Sequence, residues 1–156
     1  MSDSERWVAI PGWEGLYEVS NRGRVRSCDR VVVNWRKNRT GRRREIRSVW
    51  RGRILRQARK RRAHHIGTAG ENYYAVVTLI DHNSHRRWCG PVAHLVLEGF
   101  VGPRPYGLVC CHTDDDGMNN DLSNLRWDTS AGNTADAYRN GRHNFLAANR
   151  GKAKWR

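Results

Sequence analysis

No run of apolar residues in this 156-residue chain approaches the roughly 18–20 needed to span a bilayer. The amino terminus also lacks the basic-then-apolar pattern of a secretory signal. A soluble cytoplasmic protein with no membrane partner is therefore expected. Cysteine is scarce: the four are Cys28, Cys89, Cys110 and Cys111. None forms a C-x-x-C pair, which argues against a zinc ribbon. A disulfide between the adjacent Cys110 and Cys111 would be strained, so reduced thiols are expected. Acidic residues are few as well, with 15 Asp+Glu against 29 Lys+Arg, a net charge of +14 and a pI of about 10.8. An excess of one sign on this scale implies a polyanionic partner. The length suits one modest domain, or two small modules sharing a core, and excludes three folded domains.

The charge is unevenly spread. Residues 1–62 hold 19 Lys+Arg against 6 Asp+Glu, a net +13, whereas residues 63–156 hold 10 against 9. Most of it falls in residues 30–62, where 15 Lys+Arg meet the single acid Glu45. Like charges at this density repel one another unless neutralised, so part of the segment is expected to be a mobile loop that phosphates would order. A charge run is often only a solvated face. Here it is interleaved with Trp35 and Trp50, which favours contact with DNA. Residues 52–55 are read as a short strand closing the amino-terminal part.

The pattern of elements is mixed. Tyr17 and Val19 alternate with polar neighbours, Asn21-Arg22-Gly23 supplies a turn able to take positive φ, and Val25 resumes the alternation. A β-hairpin follows. Residues 73–80 form the clearest strand, β-branched and aromatic, with residues 86–89 as its hairpin partner. Residues 91–100 carry Val92, Leu95, Val96 and Phe100 at helical spacing and stop before Gly102-Pro103. His94 on that helix reads as a structural histidine. Residues 107–112 then form an apolar strand running into an Asp/Gly/Asn-rich loop, and residues 122–127 form a second strand. Thr129 or Ser130 offers a hydroxyl cap to a helix through Ala135, Asp136, Ala137 and Tyr138, ending near Asn140-Gly141. This is a ββα unit.

Three polar residues stand at defined places in that unit: His112 ends the first strand, Asn124 lies in the second within S-N-L-R-W, and Asn133 opens the helix. With Asn119-Asn120 and the Asn-Leu-x-Trp run, they resemble the HNH endonucleases, in particular the phage and intron-encoded branch whose last His is replaced by Asn. The amino-terminal W…IPG-x-EG-x-YEVSN-x-GRVRS stretch resembles the nuclease-associated modular domain that precedes HNH units in homing nucleases. The resemblance implies an α+β fold: a small N-terminal β-hairpin module followed by a ββα-metal (His-Me finger/HNH) nuclease module. It divides the chain into a basic DNA-binding module at 1–62, the nuclease module at 63–143 and a basic tail at 144–156. Residues 151–154 look like the opening of a helix-turn-helix found after the HNH unit in relatives, and a complete reader of that kind is not expected here.

The implied activity is metal-dependent hydrolysis of phosphodiester bonds in double-stranded DNA, by nicking or by double-strand cutting. The expected cofactor is one divalent metal ion, Mg or Mn, the expected products are a 5′-phosphate and a 3′-hydroxyl, and a monomer is expected. A phage-encoded protein would act in the host cytoplasm. His112 suits the general base, since an ordinary imidazole pKa of about 6.5 leaves the neutral form available near pH 7. Asn133 is assigned to the metal, and Asn124 to holding His112 or the loop backbone. Cys111 stands where relatives place a hard metal ligand, and Mg²⁺ prefers oxygen. Three alternatives follow: Asn133 holds the metal with only water and phosphates, one of Asp114, Asp115 and Asp116 reaches in, or a softer metal such as Mn²⁺ or Zn²⁺ is used. The metal candidates are therefore Asn133, Cys111 and Asp114. Candidate DNA contacts are Arg22, Arg24, Arg26, Arg42, Arg43, Arg44 and Arg126. A DNA-binding protein with weak or no catalysis is the alternative reading, and a basic RNA-binding or assembly protein a more distant one.

Overall fold

The structure is a computed structural model that describes residues 4–61 and 73–141; the expected basic tail lies outside the described residues. The fold is α+β. Strands β1 (Trp7–Ala9), β2 (Tyr17–Ser20) and β3 (Val25–Ser27) form an antiparallel sheet in that order, with Val19 opposite both Val8 and Val25. The alternation of Tyr17 and Val19 turns both into the core, as a period of two requires. Residues 52–55 do not form a strand. They meet the sheet only through an isolated bridge between Arg26 and Ile54, with Ser27 N–H donating to the Arg53 carbonyl and Leu55 N–H to that of Val25.

The most basic segment, part of which was expected to be a loop, is a strand hairpin over residues 30–50. Strands β4 (Arg30–Lys37) and β5 (Arg43–Trp50) pair in register along their whole length. Val31, Val32, Val33, Trp35, Ile46 and Val49 all favour extended backbone, and this preference outweighs the repulsion between exposed cations, which water and salt screen. At the tip, the Asn38 side-chain oxygen accepts from the Thr40 and Arg42 N–H groups, an Asx-type turn that fixes the reversal. Glu45 pairs with Arg47 at 2.6 Å, and Arg30 lies 5.3 Å over Trp50. Only Val32 is buried in this hairpin, and Trp35 remains 61% exposed.

Strands β6 (Ala58–Arg61), β7 (Tyr73–Asp81) and β8 (Arg86–Pro91) make a second antiparallel sheet with β7 central. Helix α1 (Val92–Phe100) follows directly and buries Val92, Ala93, Leu95, Val96 and Leu97. Its Gly99 is a point of close approach: a Cβ there would lie 2.9 Å from Val8 and 3.1 Å from Val19, so only glycine lets the helix seat on the first sheet. The last elements are β9 (Val109–His112), a 3₁₀ turn at Leu122–Asn124, β10 (Leu125–Asp128) and α2 (Ser130–Arg139). The expected second strand therefore begins later, and Asn124 sits in the turn before it. Asp121 causes this by capping the turn, its carboxylate accepting from the Ser123 N–H at 3.0 Å.

One apolar core joins the amino-terminal sheet to the ββα unit. It contains Ile10, Trp13, Tyr17, Val19 and Val25, then Ala75, Val77 and Leu79 of β7, the inner face of α1, and Leu125 of β10. The Tyr17 hydroxyl crosses between the sheets, donating to the Ile80 carbonyl at 2.8 Å and accepting from the Ile80 N–H at 3.1 Å. Among the described residues no helix is long and apolar enough to cross a membrane.

Candidate active site

His112 ends β9 and is only 5% exposed. It lines a cleft of about 390 Å³ together with Tyr74, His94, Cys110, Asn120 and Asn133. Asn133 arrives from the first turn of α2, whose start is fixed by Thr129: its hydroxyl accepts from the Gly132 N–H at 3.0 Å. The strand end and the helix start thus bring His112 and Asn133 to one cavity. The side-chain amide of Asn133 makes no hydrogen bond to any described residue. His94 stands edge-on to Trp127, with ring centroids 5.7 Å apart.

One direct partner of His112 is Asn120, to which the sequence alone assigns no role. The Asn120 Nδ2 donates to the Met118 carbonyl at 3.3 Å, and this directs its Oδ1 to His112 Nε2 at 3.2 Å. A carbonyl oxygen can only accept, so Nε2 carries the proton and the neutral imidazole has its lone pair on Nδ1. The signal in the sequence was the Asn119-Asn120 pair, since a second amide eight residues after the histidine is within reach across a closed loop.

Asn124 holds the loop backbone and not His112. Its Oδ1 accepts from the Asp114 N–H at 3.1 Å, while its Nδ2 donates to Asp114 Oδ1 at 2.8 Å and to the Asn119 carbonyl at 2.9 Å. Asp114 also accepts from Asn119 Nδ2 and from the Asp116 N–H. Burial pushes its carboxyl up, but the bonds from Asn119, the Asp116 N–H and Asn124, with His112 nearby, outweigh it and hold the group below its ordinary 3.8. Asp114 is spent on folding the loop and does not line the cleft.

Cys111 is fully buried, and the register puts it opposite Arg126, on the face of the sheet away from His112. Cys110 has the same parity as His112 and lines the cleft. Arg126 is a brace and not an open cation. Its guanidinium bonds Asp128 at 2.9 Å, Asp136 of α2, and the Thr113 hydroxyl at 3.0 Å. It therefore ties the residue after His112 to the helix that carries Asn133. Asp136 is 1% exposed and pairs also with Arg139 at 2.9 Å. Replacing Asp136 with alanine would leave Arg126 without its main partner beneath α2, so a loss of about 3 kcal/mol is expected. In a chain of this size that corresponds to about 6–12 °C in Tm. An unchanged melting curve would show that α2 is held by other means.

The remaining basic candidates divide into two groups. Arg24 pairs with Glu5 and lies 5.7 Å over the Trp7 ring, and Arg26 pairs with Glu18 at 2.6 Å and lies 4.3 Å over the same ring. Their charges are largely matched within the protein. Arg22 is exposed on the turn after β2. Arg42, Arg43 and Arg44 are exposed at the tip of the β4–β5 hairpin, and their side chains pair with no acid among the described residues.

Residues 5–68 match the NUMOD4 motif. A solved structure described as "DNA binding and cleavage by the HNH homing endonuclease I-HmuI" is similar to 92% of the chain, at 26% identity and a TM-score of 0.58. The chain spans 63% of the length of that protein. No curated protein matches the chain.

Proposed function

We propose that this chain, which is of the HNH homing-endonuclease type with an N-terminal NUMOD4 module, hydrolyses phosphodiester bonds in double-stranded DNA with the help of one divalent metal ion. The observation that carries the reading is the convergence of His112 and Asn133 on one cleft, from the end of β9 and the first turn of α2. Phosphodiester hydrolysis needs a base for the attacking water, a cation near the phosphate, and a frame that holds both in line.

His112 is the general base. Because Asn120 engages Nε2, the atom that takes the water proton is Nδ1. The donor set fits a hard cation held sparingly: Asn133 offers an unspent amide oxygen to the cleft, and Mg²⁺ commonly takes one or two protein oxygens with waters and substrate phosphates completing its shell. Among the described residues no three His, Cys, Asp or Glu side chains gather as a metal cluster. A bound metal would stabilise the charge developing on the phosphate and leaving oxygen. Asn124 keeps the loop after His112 closed, and the Arg126–Asp136 brace keeps α2, hence Asn133, at a fixed distance from β9. The cations of the β4–β5 hairpin engage the DNA backbone.

The alternative is a DNA-binding protein of this fold with little catalysis, favoured by the absence of Cys111 and Asp114 from the cleft lining. Supercoiled plasmid incubated with Mg²⁺, Mn²⁺ or EDTA separates the two. Relaxed or linear product with metal and none with EDTA is expected. A mobility shift without strand scission under every metal would favour the alternative.

A further inference from the structure

We infer that the turn Asn21-Arg22-Gly23 of the amino-terminal module is a positioning element for His112, acting through Asn120; the catalytic half of the inference rests on the nuclease reading above. The turn is built into the loop that follows β9. The Leu122 N–H donates to the Asn21 carbonyl at 2.8 Å, and the Gln57 side-chain amide donates to the Gly23 carbonyl at 2.7 Å. Asn21 is itself pinned, its side-chain oxygen accepting from the Arg6 N–H at 2.8 Å. Gly23 has φ +73°, and a Cβ on it would fall 2.5 Å from Asn120 Cβ and 2.7 Å from the Asn120 carbonyl oxygen. The glycine backbone is therefore in direct contact with the root of the side chain that holds His112.

The consequence follows from close packing. Asn120 is 5% exposed, with the Gly23 turn behind it and His112 in front. Its side chain reaches His112 Nε2 only from this position, because its Nδ2 is tied to the Met118 carbonyl. Shifting the Asn120 backbone by a few tenths of an ångström breaks a bond already 3.2 Å long. The imidazole then loses an acceptor that favours its proton on Nε2, and the share of molecules with the lone pair on Nδ1 falls. Two parts of the sequence with no chemistry in common, the Asn-x-Gly turn and the Asn-Asn pair, thus act as one unit.

Gly23→Ala tests this, with Gly15→Ala as its control. Gly15 has a similar φ of +72° in the same module, but nothing lies within 4 Å of its added Cβ. Both variants carry left-handed strain and only one displaces Asn120. In ¹⁵N spectra of the metal-free, DNA-free protein, the His112 ring nitrogens are expected to move toward the averaged tautomer pattern in Gly23→Ala and to stay in place in Gly15→Ala. Single-turnover nicking is expected to fall about 10–100-fold in Gly23→Ala, as misplacement of a reacting group does. The Kd for DNA is expected to remain within about twofold, since the hairpin cations are untouched. Unmoved His112 signals in Gly23→Ala would overturn the inference even if the protein nicks DNA. Equal changes in both glycine variants would overturn it too, as the effect of general strain. If Gly23→Ala does not fold, Gln57→Ala decides: it adds no bulk and only frees the Gly23 carbonyl, and unmoved ring signals there reject the inference. An inactive wild type would defeat the nuclease reading alone, because the ring spectra need no cleavage.

Discussion

Replacement of His112 by alanine is expected to slow DNA cleavage by about 10²–10⁴-fold, the usual contribution of a general base. The Kd for DNA is expected to stay within about twofold of wild type. The two effects separate because the residue is nearly buried at the end of β9, whereas the exposed cations lie on the β4–β5 hairpin. Single-turnover nicking alongside a filter-binding or mobility-shift titration reads both at once. The variant also opens space below the Asn120 amide, so a melting curve is needed to show that the fold survives. A rate like that of wild type would remove His112 from the chemistry and leave His94 as the other imidazole of the cleft. A parallel fall in affinity would mean that the histidine contacts the DNA directly.

Much of the frame behind that expectation was legible in the sequence, because it depends on local rules. Asn124 and Asn133 follow His112 at spacings that a short loop, a strand and a capped helix can close. Thr129 was one of two expected caps and is the one used. What escaped was set by side-chain contacts that form only once the elements have packed. Arg126 reads as a DNA-facing cation until Asp136 is known to be buried beneath the same strand face. Asn120 gains its role only when the Gly23 turn is packed against it. The two cysteines were open to a closer reading: side chains alternate along a strand, so Cys110 shares the side of His112 and Cys111 does not. The basic hairpin was missed for another reason. Its pairing is local and its β-propensity strong, with Val31, Val32, Val33, Ile46 and Val49 all β-branched, but the density of charge masked that signal.

Neutralising Arg42, Arg43 and Arg44 together is expected to weaken DNA binding by about 10²–10³-fold near 0.1 M salt and to flatten the salt dependence. If about six hairpin cations meet phosphates in the wild type, log K against log[salt] falls with a slope of roughly −5, and each contact removed takes about 0.9 from it. The triple glutamine variant is then expected near −2 to −3. These three side chains are chosen because they are exposed at the hairpin tip with no acidic partner among the described residues. Arg24 and Arg26 provide the contrast. Each already faces a carboxylate and the Trp7 ring, so their replacement is expected to lower stability more than the slope. Cleavage at saturating DNA is expected to survive the triple change, because none of the three lines the cleft that holds His112 and Asn133. Titrations at several salt concentrations between 0.05 and about 0.2 M measure the slope directly. A slope unchanged from wild type would show that the hairpin tip does not meet the backbone, and would move the DNA-binding surface to the cations elsewhere in the amino-terminal module.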